Sequence, residues 1–140
     1  MLMRMMKTTN TSDKEIEFKN TDIAFSPSLV GAGQLSYVVI KNLKLIITEK
    51  YVCKQYLDNT SDNTKKLDAY ATTNLQITYT IKPKFVKEIG LNFTVFNLLN
   101  TLYESNGYTW GYYVGEQITN ENFYFPQAGM HFQGQVTLKF

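Results

Sequence analysis

From Met130 to Phe140 the chain alternates without a fault. The even positions are Met130, Phe132, Gly134, Val136, Leu138 and Phe140, and the odd ones are His131, Gln133, Gln135, Thr137 and Lys139. A helix would mix these two sets on every face, whereas a strand sends successive side chains to opposite faces. A two-residue period held this long therefore admits only a strand, with one apolar and one polar face.

The same period recurs upstream. In the stretch from Leu67 to Ile81, the odd set Leu67, Ala69, Ala71, Thr73, Leu75, Ile77, Tyr79 and Ile81 stands opposite Asp68, Tyr70, Thr72, Asn74, Gln76, Thr78 and Thr80. Between Phe25 and Val39, Leu29, Leu35, Tyr37 and Val39 stand opposite Ser28, Gln34 and Ser36. Leu43 to Tyr56 alternates less cleanly, because Glu49 falls on the apolar side. Leu91, Phe93 and Val95 alternate with Asn92 and Thr94 until the pattern slips at Phe96–Asn97, where a bulge would restore the faces. The expected fold is all-β: an antiparallel up-and-down meander of about five long strands, over roughly 24–40, 43–56, 67–82, 89–103 and 125–140. Strands of this length exceed those usual in globular sheets and suit a partial transmembrane β-barrel wall. The connections alternate too. Lys41–Asn42 and Pro83–Glu88 are short, and 57–66 and 104–124 are long, so all short turns fall on one side. The organisation expected is an N-terminal segment, 1–22, in loop or disorder, followed by barrel strands over 23–140.

Composition narrows the function classes. Twenty aromatic residues, ten Tyr, nine Phe and one Trp, argue against disorder, because such a chain has apolar surface to bury. A net charge of +2, without a long basic run, gives no field to attract nucleic acid. One Cys, Cys53, excludes an internal disulfide, and one His, His131, removes most metal and catalytic constellations. Glu104, Glu116 and Glu121 do not form a catalytic pair by spacing. No enzyme, cofactor or metal site is expected. The chain has no run of apolar residues long enough for a transmembrane helix, a fact that leaves barrel strands open. The opening Met1–Met6 lacks the apolar core and cleavage site of a signal peptide.

Two segments carry a family likeness. Asn97-Leu98-Leu99-Asn100-Thr101-Leu102-Tyr103-Glu104, preceded by Leu91-Asn92-Phe93-Thr94-Val95, resembles the penultimate strand of TonB-dependent outer-membrane receptors. Tyr124-Phe125-Pro126-Gln127-Ala128-Gly129, with the alternation to Phe140, resembles their last strand. Lys50 to Thr60 looks like strand-to-loop sequence of Bacteroidetes members. The likeness covers about 22–140. It implies uptake of a nutrient such as an iron chelate, cobalamin or a glycan across the outer membrane of a Gram-negative cell. It implies as partners the outer-membrane lipid, the barrel-assembly machinery, the remainder of the barrel with its plug, and the TonB system. Plug and TonB contact segment lie in the part of such receptors that this chain lacks. The chain is therefore expected to be truncated, and is not expected to transport alone.

The residues singled out follow from these readings. Phe140, with Leu138 and Phe132, is the candidate assembly signal, read by strand addition at an exposed edge; the alternative is an ordinary core-facing Phe. Tyr108, Trp110, Tyr112 and Tyr113 are candidate ligand contacts at the extracellular mouth, or else loop-packing and interfacial aromatics. Asn97, Asn100 and Tyr103 are the motif residues of the resemblance. His131 reads as a hydrogen-bonded wall residue. A second reading keeps the same alternation but inverts the faces, giving a small soluble β-barrel that binds an apolar ligand. The uncharged polar set (Asn74, Gln76, Thr78, Gln133, Gln135, Thr137) suits a lumen better than a soluble surface, which would carry more Lys and Glu.

Overall fold

The computed structural model describes residues 18–115 and 117–140. Among them the chain forms strands β1 (Val30–Ile40), β2 (Leu43–Val52), β3 (Gln55–Tyr56), β4 (Lys66–Leu67), β5 (Tyr70–Ile81), β6 (Glu88–Phe96), β7 (Glu104–Val114), β8 (Gln117–Pro126) and β9 (His131–Lys139). The fold is all-β. A five-stranded antiparallel sheet runs in the order β1-β2-β5-β6-β9, and two further two-stranded pieces are β3-β4 and β7-β8. The sheet is open, with β1 and β9 at its edges. Of the N-terminal segment 1–22, residues 1–17 lie outside the described residues, and 18–22 hold no strand.

The chain divides into two compact units. The sheet unit comprises residues 29–53, 69–103 and 126–140. Its register stacks the apolar sets of all five strands into rows. Leu35, Ile47, Leu75, Val95 and Phe132 are one row, and Tyr37, Leu45, Ile77, Phe93 and Gly134 the next. Leu43, Tyr79, Leu91 and Val136 form a third, and Ile81, Ile89 and Leu138 a fourth. A bulge at Val39 brings Ile40 opposite Leu43, so the apolar run Val38-Val39-Ile40 still ends in register. The other face stacks Ser36, Ile46, Gln76, Thr94 and Gln133, then Val38, Lys44, Thr78, Asn92 and Gln135. A period of two, strict in β9 and broken in β2 at Ile46 and Glu49, fixes this register, since a one-residue slip would exchange the faces.

Several expected boundaries are corrected. Residues 24–29 are not strand, and β9 begins at His131 rather than near 125. The slip at Phe96–Asn97 is no bulge: β6 pairs without interruption to Phe96 and then stops. Asn97 (φ 50°) and Asn100 (φ 52°) adopt the left-handed conformation that Asn tolerates better than most residues, so 97–103 turns instead of extending. The expected long loop 104–124 is mostly the hairpin β7-β8, and the expected loop 57–66 is flanked by the short pair β3-β4. The short connections hold as read. Lys41–Asn42 turns through Asn42 at φ 72°, and the Thr80 amide donates to the Asn42 carbonyl at 3.0 Å.

The loop unit comprises 18–28, 54–68 and 104–125 among the described residues. Its core is small: Tyr56, Leu57 and, at 1% exposure, Leu67. In the sheet unit Val52 and Val95 are the buried apolar side chains among the described residues.

Candidate functional site

The apolar rows of the sheet are exposed at most positions, while Val95 is buried and Leu45, Leu75 and Ile77 are half-buried. Leu35 is 70% accessible, Val136 66% and Phe132 60%, and Tyr37, Ile47, Tyr79, Leu91, Phe93 and Leu138 are exposed with them. A contiguous apolar face of this breadth marks an interaction surface, because water penalises it at about 25 cal/mol per Å². Four rows two residues apart span roughly 20 Å along the strands. Gly134 leaves a shallow notch in this face, lined by Ile77, Tyr79, Leu91, Phe93 and Val136. The Phe93 and Phe132 rings lie beside it at 6.1 Å. On the opposite face, Gln76 Nε2 donates to Asn92 Oδ1 at 3.0 Å, a polar cross-strand pair. Phe132 and Leu138 thus lie on the apolar face, opposite Val95 and Ile89. Phe140 follows the last strand at 90% exposure and is not a core residue.

The Asn97–Tyr103 segment is a clamp. Buried Asn97 donates from Nδ2 to the carbonyls of Thr101 (2.8 Å) and Ala128 (3.3 Å), and its Oδ1 accepts from the Thr101 amide at 2.9 Å. Its own amide donates to Asn74 Oδ1 at 2.9 Å. Asn100 Oδ1 accepts from the Met130 amide at 2.9 Å. A Cβ on Gly129 would lie 2.5 Å from that oxygen, so the approach needs glycine. The Tyr103 carbonyl accepts from the Gln127 amide, and its ring stacks on Tyr70 at 4.3 Å. The three motif residues therefore fasten the end of β6 to the lead-in of β9. Sequence reasoning missed this task, although two Asn spaced by three and a later Gly signal it.

His131 stacks on Phe96 at 4.9 Å, and its Nδ1 donates to the Gly129 carbonyl at 2.9 Å. Cys53 Sγ accepts from the Leu29 amide at 3.2 Å. Both have structural partners, and no group of three or more metal-ligating side chains occurs among the described residues.

In the loop unit, the hairpin has two unlike faces. Gly107, Thr109 and Gly111 share one face of β7, and a Cβ on Gly107 would lie 2.6 Å from the Phe123 carbonyl and 3.3 Å from Leu57. That small-residue face admits close neighbours, and Asn122 Nδ2 donates from β8 to the Thr64 carbonyl at 2.6 Å. The alternation then places Tyr108, Trp110 and Tyr112 on the other face, and Tyr113 apart from them. Tyr108 stacks on Phe123 at 4.8 Å and tilts against Phe125 at 6.1 Å. The Tyr112 hydroxyl donates to Glu121 Oε1 at 2.8 Å, and this bond raises its pKa. The carboxylate of Glu121 is thus a strand-pairing group, and Glu116 lies outside the described residues. Three of the four candidate contact residues form one exposed aromatic stripe.

Two Asx turns order the nearby segment. Asp58 Oδ1 accepts from the Thr60 amide and hydroxyl, and Asp62 Oδ1 accepts the same pair from Thr64. Lys65 Nζ meets Asp58 Oδ2 at 3.0 Å. Burial pushes the Asp58 carboxyl up, but the bonds from Thr60 and Lys65 outweigh it and hold the pKa below the ordinary carboxylate value.

No family model, no curated protein and no solved structure matches the chain.

Proposed function

We propose that this chain is a wall segment of an outer-membrane β-barrel of the TonB-dependent receptor type. In a complete relative such a wall would serve uptake of an iron chelate, cobalamin or a glycan. One observation carries the membrane reading: five strands align an apolar band in register, largely exposed, opposite a face that is mostly Gln, Asn, Thr and Ser with Val38, Lys44 and Ile46 among them. Lipid tolerates the first face and a hydrated lumen the second. The receptor type rests on the resemblance of 91–104 and 124–140, with Asn97, Asn100 and Tyr103 acting together in one turn.

In this reading the short connections face the periplasm, and the segments leaving β2 and β6 face outward. Tyr108, Trp110 and Tyr112 are then mouth-facing contacts for a ligand, and Phe140 with Leu138 and Phe132 is the strand presented to the assembly machinery. The edges β1 and β9 carry backbone groups that lipid cannot satisfy, so the sheet needs further strands from a partner to span a bilayer. It is no transporter by itself.

Fractionation tests the membrane reading. Expressed with an export signal in a Gram-negative host, the chain is expected in the detergent-extractable envelope. A chain that is soluble and monodisperse without detergent overturns the reading and favours the soluble β-barrel that binds an apolar ligand.

A further inference from the structure

The charges of this chain are sorted by place in the fold. The turn end of the sheet carries Lys41, Lys82, Lys84, Lys87 and Lys139. Against them, in segments 41–42, 82–88 and 139, stands one acidic side chain, Glu88, which meets Lys139 at 2.5 Å and Lys82 at 3.9 Å. Lys41, Lys84 and Lys87 are exposed. The segments that leave the other end of the sheet, 53–69 and 97–130, reverse the balance, with six acidic residues and three lysines.

The cationic end also exposes an aromatic. Phe85, in the turn Lys82-Pro83-Lys84-Phe85-Val86-Lys87, is 82% accessible. The last apolar row, Ile81, Ile89 and Leu138, directly precedes the lysines along the strands. Apolar face, exposed Phe and lysine rim thus follow one another within the sheet unit.

We propose that this rim binds the phosphate headgroups of anionic phospholipid, with Phe85 seated at the level of the headgroups. The inference rests on the membrane reading above and adds a lipid class and a depth. Lysine is a compact point charge that meets phosphate without a fixed geometry, and its long stem lets it reach the interface from apolar surface. The lysines are spread along an open rim over two connections and the end of β9, so a single small anion gains little from them, whereas a charged leaflet meets all of them at once. Basic side chains near an anionic leaflet add attraction that salt weakens within a Debye length. Aromatics are favoured at the same depth.

The test is co-sedimentation of the full chain with vesicles of phosphatidylcholine alone and of phosphatidylcholine mixed with phosphatidylglycerol. Binding is expected to be tighter to the mixed vesicles and to weaken with added salt. Lys41→Gln/Lys84→Gln/Lys87→Gln is expected to lower affinity for mixed vesicles on the order of a hundredfold, at about fivefold per lysine. The charge-matched control Lys50→Gln/Lys54→Gln/Lys66→Gln is expected to change it far less. Phe85→Ser is expected to weaken binding to both vesicle types alike. Equal binding to the two vesicle types, equal loss in the control, or equal competition by dissolved glycerol phosphate overturns the rim inference and leaves the membrane reading standing. Failure to bind either vesicle overturns the membrane reading itself.

Discussion

At the scale of single residues, Asn97 concentrates the most structural work. Its buried amide serves three backbone groups of 101 and 128, at a positive φ that alanine adopts at a cost. Asn97→Ala strands those groups and is expected to cost about 3 kcal/mol, each buried unsatisfied group contributing roughly 1–3 kcal/mol. Urea unfolding in detergent micelles measures it, and Asn97→Gly should recover only the part due to φ. A loss below the loss for Asn100→Gly would refute the clamp. Asp58 makes a second residue-scale case. Its carboxyl pKa is lowered in the fold, so its bonds to Thr60 and Lys65 stabilise the segment above the ordinary carboxylate value. That contribution is lost as pH falls through the lower, folded value. Amide exchange at Thr60 and Lys65 is expected to accelerate over that acid range, and Asp58→Asn should remove the pH dependence. An acid response unchanged in Asp58→Asn would assign the effect to another group.

At the scale of elements, the two faces of each strand are expected to tolerate charge differently. Ile77 and Gln76 are neighbours on β5 with opposite orientations. If the apolar face meets lipid, Ile77→Arg costs about 2–4 kcal/mol near the bilayer midplane, whereas the lumen-side Gln76→Arg costs far less. Folding yield into lipid vesicles, followed by protease protection, reads the difference; equal yields would remove the lipid assignment of that face. The faces were legible in advance because β5, β6 and β9 repeat the two-residue period and β1 and β2 keep most of it, a signal that needs no tertiary information. Their ends were not. Leu98, Leu99 and Leu102 prolong the apolar character past Phe96, yet the positive φ of Asn97 and Asn100 ends the strand there, leaving Leu99 and Leu102 exposed. The hairpin β7-β8 escaped for a different reason. Glycines at 107 and 111 and the polar residues between the aromatics read as loop, while in the fold Gly107 allows close packing on Leu57 and Phe123, and Gly111 on Asn120. The aromatic stripe could be named by residue, but its separation from Tyr113 required the strand.

At the scale of the molecule, the parity of the sheet constrains how it can be completed. Every pairing in the sheet is antiparallel and the strands number five, so β1 and β9 run in the same direction. A second copy placed beside the first, with the same face outward and the same end up, would set β1 against β9 as a parallel pair. The alternative, β9 against β9 about a two-fold axis, restores antiparallel pairing but inverts one copy, placing its lysine turns beside the other copy's opposite end. In a membrane that inversion would send the 53–69 and 97–130 segments to both sides. Neither arrangement closes an antiparallel wall of uniform orientation, which instead requires an odd number of strands from another source. The chain alone is therefore expected to form open, concentration-dependent assemblies in detergent, with exposed edges recruiting further edges. Light scattering across a dilution series checks this. A single species of fixed mass would mean that the edges satisfy each other, and the sheet would then be a self-sufficient barrel rather than part of a larger wall.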